Sequence, residues 1–244
     1  MFDERSQMAL YRLMNHGVIA RLGPPIKQGK ESLVIHAVAP GGRELAVKVH
    51  TSKVFGKRER KQYLFGDWRY RRAKRHITLR TESMWAEKEY RNLARLEKVG
   101  IPAPRPVGFE ENIVVMTLVG GNGVAAPQLN DLPSGDYTAL SRIVLRAMER
   151  LVSRAHLVHG DLSPYNIVVW DRKPFVIDVS QAVLVSHPDA ARLLENDFRK
   201  VAAFFEQKDV NADDFYHIGA ELTEDVRQHQ KESLIRPDLL ADSE

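Results

Sequence analysis

Apolar and polar positions alternate from Glu44 to His50, with Leu45, Val47 and Val49 on one face of a predicted strand and Ala46, Lys48 and His50 on the other. Upstream, a strand begins at Ile26, breaks at Gln28-Gly29-Lys30-Glu31-Ser32 and resumes over Leu33–Val38. The period then changes. Trp85, Glu89, Leu93 and Leu96 recur at helical spacing and predict a helix over 84–99, with Glu89 in the middle of its apolar stripe. After the proline-rich linker Gly100–Pro106, short apolar runs at Val107–Phe109 and Ile113–Leu118 flank the turn Glu110-Glu111-Asn112. A five-stranded sheet with one helix results.

The carboxy-terminal half reads differently. Residues 120–133 hold few regular elements, as expected of a hinge. Residues 136–155 predict an amphipathic helix with Leu140, Ile143, Val144, Ala147, Met148, Leu151 and Val152 inward. An apolar run then brings the chain to His159, Asp161–Asn166 stays open, and Ile167–Val169 and Val176–Ile177 form a hairpin around Asp171-Arg172-Lys173-Pro174, its second strand ending at Asp178. Ala190–Phe205 predicts a further helix, and the polar stretch from Glu221 predicts one more with a frayed end. At the other terminus, residues 5–22 predict one or two short helices ending at Gly23-Pro24-Pro25. The pattern is α+β. It divides into an extension (1–25), a sheet-based part (26–119), a hinge (120–135) and a mainly helical part (136–244).

Two carboxylates lie where apolar residues belong. Glu89 has no cation three or four residues away on its own helix, so burial requires one from outside, and Lys48 is the simplest choice. Asp197 lies in the stripe Leu193, Leu194, Phe198, Val201, Phe204, Phe205 and is expected to accept backbone N–H groups from the loop around His159 and Gly160. His159 itself reads as a packed, hydrogen-bonded histidine.

Composition narrows the chemistry. With 244 residues and 43% hydrophobic content, the chain can fill one large domain or two small lobes sharing a cleft. It has no cysteine, which removes disulfides and thiolate metal sites and leaves oxygen or imidazole ligands, a set that suits magnesium. No apolar run reaches membrane-spanning length and the amino end lacks a secretory pattern, so a cytoplasmic protein without a membrane partner is expected. The formal charge of +4 is uneven: Lys53 to Arg80 carries eleven Lys or Arg against two acids, interleaved with Phe, Trp and Tyr. Segment 53–80 therefore reads as a flexible basic insertion suited to nucleic acid or a ribonucleoprotein.

Asp161, Asn166 and Asp178 would meet at one end of the hairpin. Phosphoryl transfer needs such a set: one carboxylate beside the attacking oxygen, and a carboxylate and an amide oxygen to hold magnesium against phosphates. Asp161 takes the first role; Asn166 and Asp178 take the second. Backbone N–H groups of Gly29 and Lys30, with the Ser32 hydroxyl, form a candidate phosphate loop. An adenine ring would meet backbone at the strand-to-hinge crossing, around Thr117 and Val119.

With these residues in place, the chain resembles the RIO family of atypical serine/threonine protein kinases, in its short archaeal-type form without an amino-terminal winged helix. The resemblance covers nearly the whole chain. It rests on Gln28–Ser32, Ala46–Val49, Leu64-Phe65-Gly66-Asp67, Trp85–Leu93, Ala126-Pro127, the segment Leu157–Val169, Ile177–Val183 and His187-Pro188. It implies a bilobal protein-kinase-like fold that binds ATP and Mg2+, with Mn2+ as a substitute, and acts in small-ribosomal-subunit maturation, with rRNA met by the basic loop. By position it implies phosphate contacts and Glu89 pairing for Lys48, hinge backbone at Thr117 and Val119, a catalytic Asp161, and metal ligands Asn166 and Asp178. It further implies that Asp178 can become a phosphoaspartate, so that the output is kinase or ATPase activity. The chain departs from the family pattern at Gln28, Ser32 and Pro164.

Two other readings share parts of this pattern. Small-molecule kinases of the aminoglycoside and choline type also carry H-G-D-L-x-x-x-N, but Val179-Ser180-Gln181 after Asp178 and the basic insertion favour the RIO resemblance. A ribosome-assembly factor that uses nucleotide only as a switch is the other; retention of Asp161, Asn166 and Asp178 argues against a dead site.

Overall fold

The computed structural model describes residues 3–29, 32–51, 63, 66–67, 69–70 and 81–235. Helix α1 (Glu4–Asn15) opens the chain, and the Asp3 carboxylate accepts from the Ser6 N–H at 2.8 Å as its cap. Strands β1 (Arg21–Gln28), β2 (Ser32–Val38), β3 (Glu44–His50), β4 (Pro106–Glu110) and β5 (Ile113–Thr117) form an antiparallel sheet in the order β1-β2-β3-β5-β4. Helix α2 (Thr81–Lys98) lies between β3 and β4 in the chain.

One expected boundary shifts. The helical part of the extension ends at Asn15, and a strand runs from Arg21 straight through Gly23-Pro24-Pro25. Proline lacks the N–H that a central strand needs, but β1 is an edge, and its pairing with β2 slips on either side of Pro25. The sheet thus begins five residues earlier than residue 26, and α1 packs on it. Ala9, Leu10, Leu13 and Ile19 bury against Leu45, Val47 and Val49, while Arg12 binds Glu110 at 2.7 Å. Ala46, Val114 and Met116 on the opposite face join Ala86, Leu93 and Leu96 of α2 in a core that continues into the helical part.

That part contains α3 (Tyr137–Ser153), α4 (Ala190–Glu206) and α5 (Asp213–Ile235). Ile143 of α3 is 39% exposed, contrary to the expected inward face, and Leu145 is buried in its stead. The last helix starts at Asp213, ahead of Glu221, because Phe215 stacks on Phe205 of α4 with centroids 5.5 Å apart. Between α3 and α4, strands β8 (Leu157–Val158) and β11 (Val183–Leu184) pair, and β9 (Ile167–Trp170) and β10 (Lys173–Val176) form the expected hairpin. Asp171 and Arg172 both have positive φ, the conformation of a tight two-residue hairpin turn. The hinge holds a two-strand ribbon, β6 (Gly120–Gly121) with β7 (Val124–Ala125). None of the described helices is long and apolar enough to cross a membrane.

Candidate active site

The sheet and the helical part face each other across a cleft of about 530 Å³. Gly29, Ser32, Lys48, Glu89, Thr117, Val119, Asp161, Asn166 and Asp178 all line it, and of the expected set Lys30 alone lies outside the described residues. Ile26, Val34 and Ala46 above and Val168 and Ile177 below supply apolar walls.

Strand alternation turns Lys48 away from α1 and towards α2. Its Nζ donates to Glu89 Oε1 at 2.8 Å and to Asp178 Oδ1 at 2.7 Å. Burial favours the neutral amine, yet the two carboxylates outweigh it and push Lys48 up to about 12, so the cation is retained. His50, two residues on along the same strand face, takes the second Glu89 oxygen at 2.8 Å. Sequence reasoning placed His50 on the correct face without assigning it a partner.

Asp178 leaves β10 rather than closing it, since the strand ends at Val176. It sits in the left-handed region with φ of 57°, which Asp tolerates better than most non-glycine residues. Enclosure by the cleft walls works against its charge even though the side chain is 43% exposed, but Lys48 and the Ser180 hydroxyl, 2.7 Å from Oδ1, hold the carboxyl well below the usual carboxylate range. Helix α2 pins the segment that follows. Asn92 donates to the carbonyls of Val179 at 2.9 Å and Ala182 at 3.1 Å, and the buried Lys88 donates to that of Ser180 at 3.2 Å.

The loop carrying Asp161 is built from below. Asp197 takes the Gly160 N–H at 2.8 Å and the Leu162 N–H at 2.7 Å, the expected brace reaching two residues beyond Gly160. Gly160 has φ of 81°, and a side chain there would press on the Gln181 carbonyl. His159 is buried, which disfavours its charged form; Nε2 meets the Ile177 carbonyl at 3.1 Å and Nδ1 meets the Asp161 N–H at 3.4 Å. It is the packed histidine expected. Asn166 Nδ2 donates to the Asp161 carbonyl at 2.8 Å, which leaves its Oδ1 for a ligand. Lys200 of α4, which no local pattern marked, reaches Asp161 Oδ1 at 2.9 Å.

At the crossing, the Thr117 N–H already bonds the Arg105 carbonyl at 2.9 Å and the Val119 carbonyl accepts from Ala126 at 2.8 Å. Most of the basic segment 53–80 lies outside the described residues. One of its cations is internal: Arg69 pairs with Asp67 at 2.6 Å, its side chain 8% exposed, and is withdrawn from any external contact.

The RIO domain family model matches residues 33–218. The chain is 36% identical over 213 residues to the RIO-type serine/threonine-protein kinase Rio1 of Haloferax volcanii, covering 87% of this chain and 73% of that one. It is also 36% identical to the serine/threonine-protein kinase rio1 of Dictyostelium discoideum, over 86% of this chain but 37% of the relative. The corresponding Schizosaccharomyces pombe protein is 35% identical and 42% covered, so the chain spans about two fifths of either relative. In fold it is similar to the Rio2 kinase of Chaetomium thermophilum, with a TM-score of 0.65 at 21% identity, covering 96% of this chain and 80% of that one. The bilobal kinase-like architecture follows from that likeness, and on the match over residues 33–218 and the identity to its relatives the chain belongs to the RIO family.

Proposed function

We propose that this chain is an ATP- and Mg2+-dependent RIO-type kinase or ATPase that acts in small-ribosomal-subunit maturation. The observation that carries the reading is one contact set: Lys48 bridging Glu89 and Asp178, at 2.8 and 2.7 Å, in the same cleft as Asp161 and Asn166. A cation held between two carboxylates is positioned for nucleotide phosphates, and the apolar walls suit a base.

Asn166 Oδ1 and the Asp178 carboxylate are hard oxygen donors, and Mg2+ commonly takes one or two such ligands plus phosphate oxygens. They fit the ion. When bound, it would neutralise charge on the phosphates as the bond to the leaving oxygen breaks. Asp161 would orient the acceptor hydroxyl and accept its hydrogen. Asp178, ionised and with its side chain 43% exposed, is also a competent nucleophile. Attack by its oxygen would form a phosphoaspartate and release ADP, and water would then hydrolyse the acyl phosphate. A solved Rio2 kinase from Chaetomium thermophilum was captured as an ADP/Mg2+-phosphoaspartate complex. The cations of segment 53–80 other than Arg69 are the proposed rRNA contact.

The test is a single turnover with γ-labelled ATP and Mg2+, with and without small ribosomal subunits, followed by hydroxylamine. Label released by hydroxylamine and absent from Asp178→Ala supports the phosphoaspartate route. Stable label on serine supports a protein kinase. Asp161→Asn is expected to abolish transfer while nucleotide still binds; turnover that survives it refutes the role assigned to Asp161.

A further inference from the structure

Lys200 stands 39 residues from Asp161 in the chain, yet its Nζ lies 2.9 Å from Asp161 Oδ1. Its placement is built into the fold. One helical turn earlier on α4, Asp197 binds the N–H groups of Gly160 and Leu162, so the helix that shapes the loop also carries the lysine. The Lys200 and Asp161 side chains are 42% and 45% exposed. An ion pair so open to water contributes little to folding and exchanges readily for a stronger anion.

Charge at the site is unevenly supplied. Lys48, the cation assigned to the nucleotide phosphates, stands between Glu89 and Asp178 and not beside Asp161. The loop from His159 to Asn166 contributes no Lys or Arg, and its histidine is buried and disfavoured as a cation. A phosphoryl group passing towards an acceptor beside Asp161 would therefore meet a carboxylate with no loop cation to balance it, where phosphoryl transfer needs positive charge.

We propose that Lys200 is that cation: from its place on Asp161 it moves onto the oxygens of the transferring phosphoryl group, freeing the Asp161 carboxylate for the acceptor hydroxyl. In that step the acceptor oxygen bonds to phosphorus, the bond to the ADP oxygen breaks and its electron pair leaves with ADP. The acceptor proton passes to Asp161 and then to solvent. The assignment rests on the phosphotransferase reading above.

The test compares wild type, Lys200→Met, Lys200→Arg and, as a control on the same helix, Arg199→Met. Phosphoryl transfer from ATP with Mg2+ gives kcat and KM, ADP binding is titrated, and thermal melting reports folding. Lys200→Met is expected to lower kcat about 100-fold, the scale for losing one transition-state donor, with KM, ADP affinity and melting unchanged. Lys200→Arg should recover much of the rate, and Arg199→Met should behave as wild type. A Lys200→Met enzyme with wild-type kcat overturns the assignment. So does a rate loss matched by lower ADP affinity or melting temperature, which would mark a structural role. A wild-type chain that binds ADP and transfers nothing overturns the phosphotransferase reading, and the assignment with it.

Discussion

Glu89 is 1% exposed and each of its oxygens has one partner, Lys48 on Oε1 and His50 on Oε2. Removing either leaves a buried acceptor unmet. His50→Leu preserves bulk while orphaning Oε2, so it is expected to cost about 1–3 kcal/mol of stability, visible as a lower midpoint in urea unfolding. It should also weaken ATP binding, because Lys48 would lose a fixed counterion; unchanged affinity and stability would show that His50 is a bystander. The need for Lys48 was legible, since a carboxylate centred in an apolar helical stripe requires a cation from elsewhere. The His50 contact was not, since a strand face names the residues it presents but not which of them reaches the helix.

At the scale of elements, α2 and α4 act as the two rigid frames of the site. Helix α2 holds Lys48 through Glu89 and the segment after Asp178 through Lys88 and Asn92. Helix α4 holds the loop of Asp161 through Asp197, whose burial pushes its carboxyl up to about 7 while the two N–H groups pull the other way. Asp197→Asn offers one acceptor oxygen where two N–H groups need partners. It should cost about 1–3 kcal/mol and lower phosphoryl transfer while ADP still binds, checked by melting and single-turnover rates. Full activity would mean that the loop holds its shape alone. The brace was legible because an aspartate in an apolar stripe needs donors. The start of β1 was not, because Pro24 and Pro25 read as a break unless the strand is known to be an edge.

For the whole molecule, a completely buried lysine of α2, set against the segment that follows Asp178, sets a pH dependence. Lys88 is 0% exposed and lies 5.1 Å from the Trp85 ring; burial lowers its pKa from 10.5 to about 7. Between those values the unfolded chain holds the proton and the folded one does not, so stability rises with pH from 7 towards 10.5, by a few kcal/mol at most. Below pH 7 both states are protonated and the folded state bears the full cost of the buried charge. Lys88→Met should flatten the rise in melting temperature between pH 7 and 10; a variant with the wild-type slope would show that another group titrates there.

The amino-acid sequence alone determined the succession of elements, the face on which Lys48 lies, the partner required by Glu89 and the spacing of Asp161, Asn166 and Asp178. These depend on periodicity and on the cost of burying charge, both local properties of the chain. Tertiary structure alone decided that Lys200 meets Asp161, that His50 shares Glu89, that Arg69 is turned inward to reach Asn92 of α2 and that prolines sit within β1. Each of those depends on which distant segments become neighbours, and no repeat along the chain encodes the distance across a cleft.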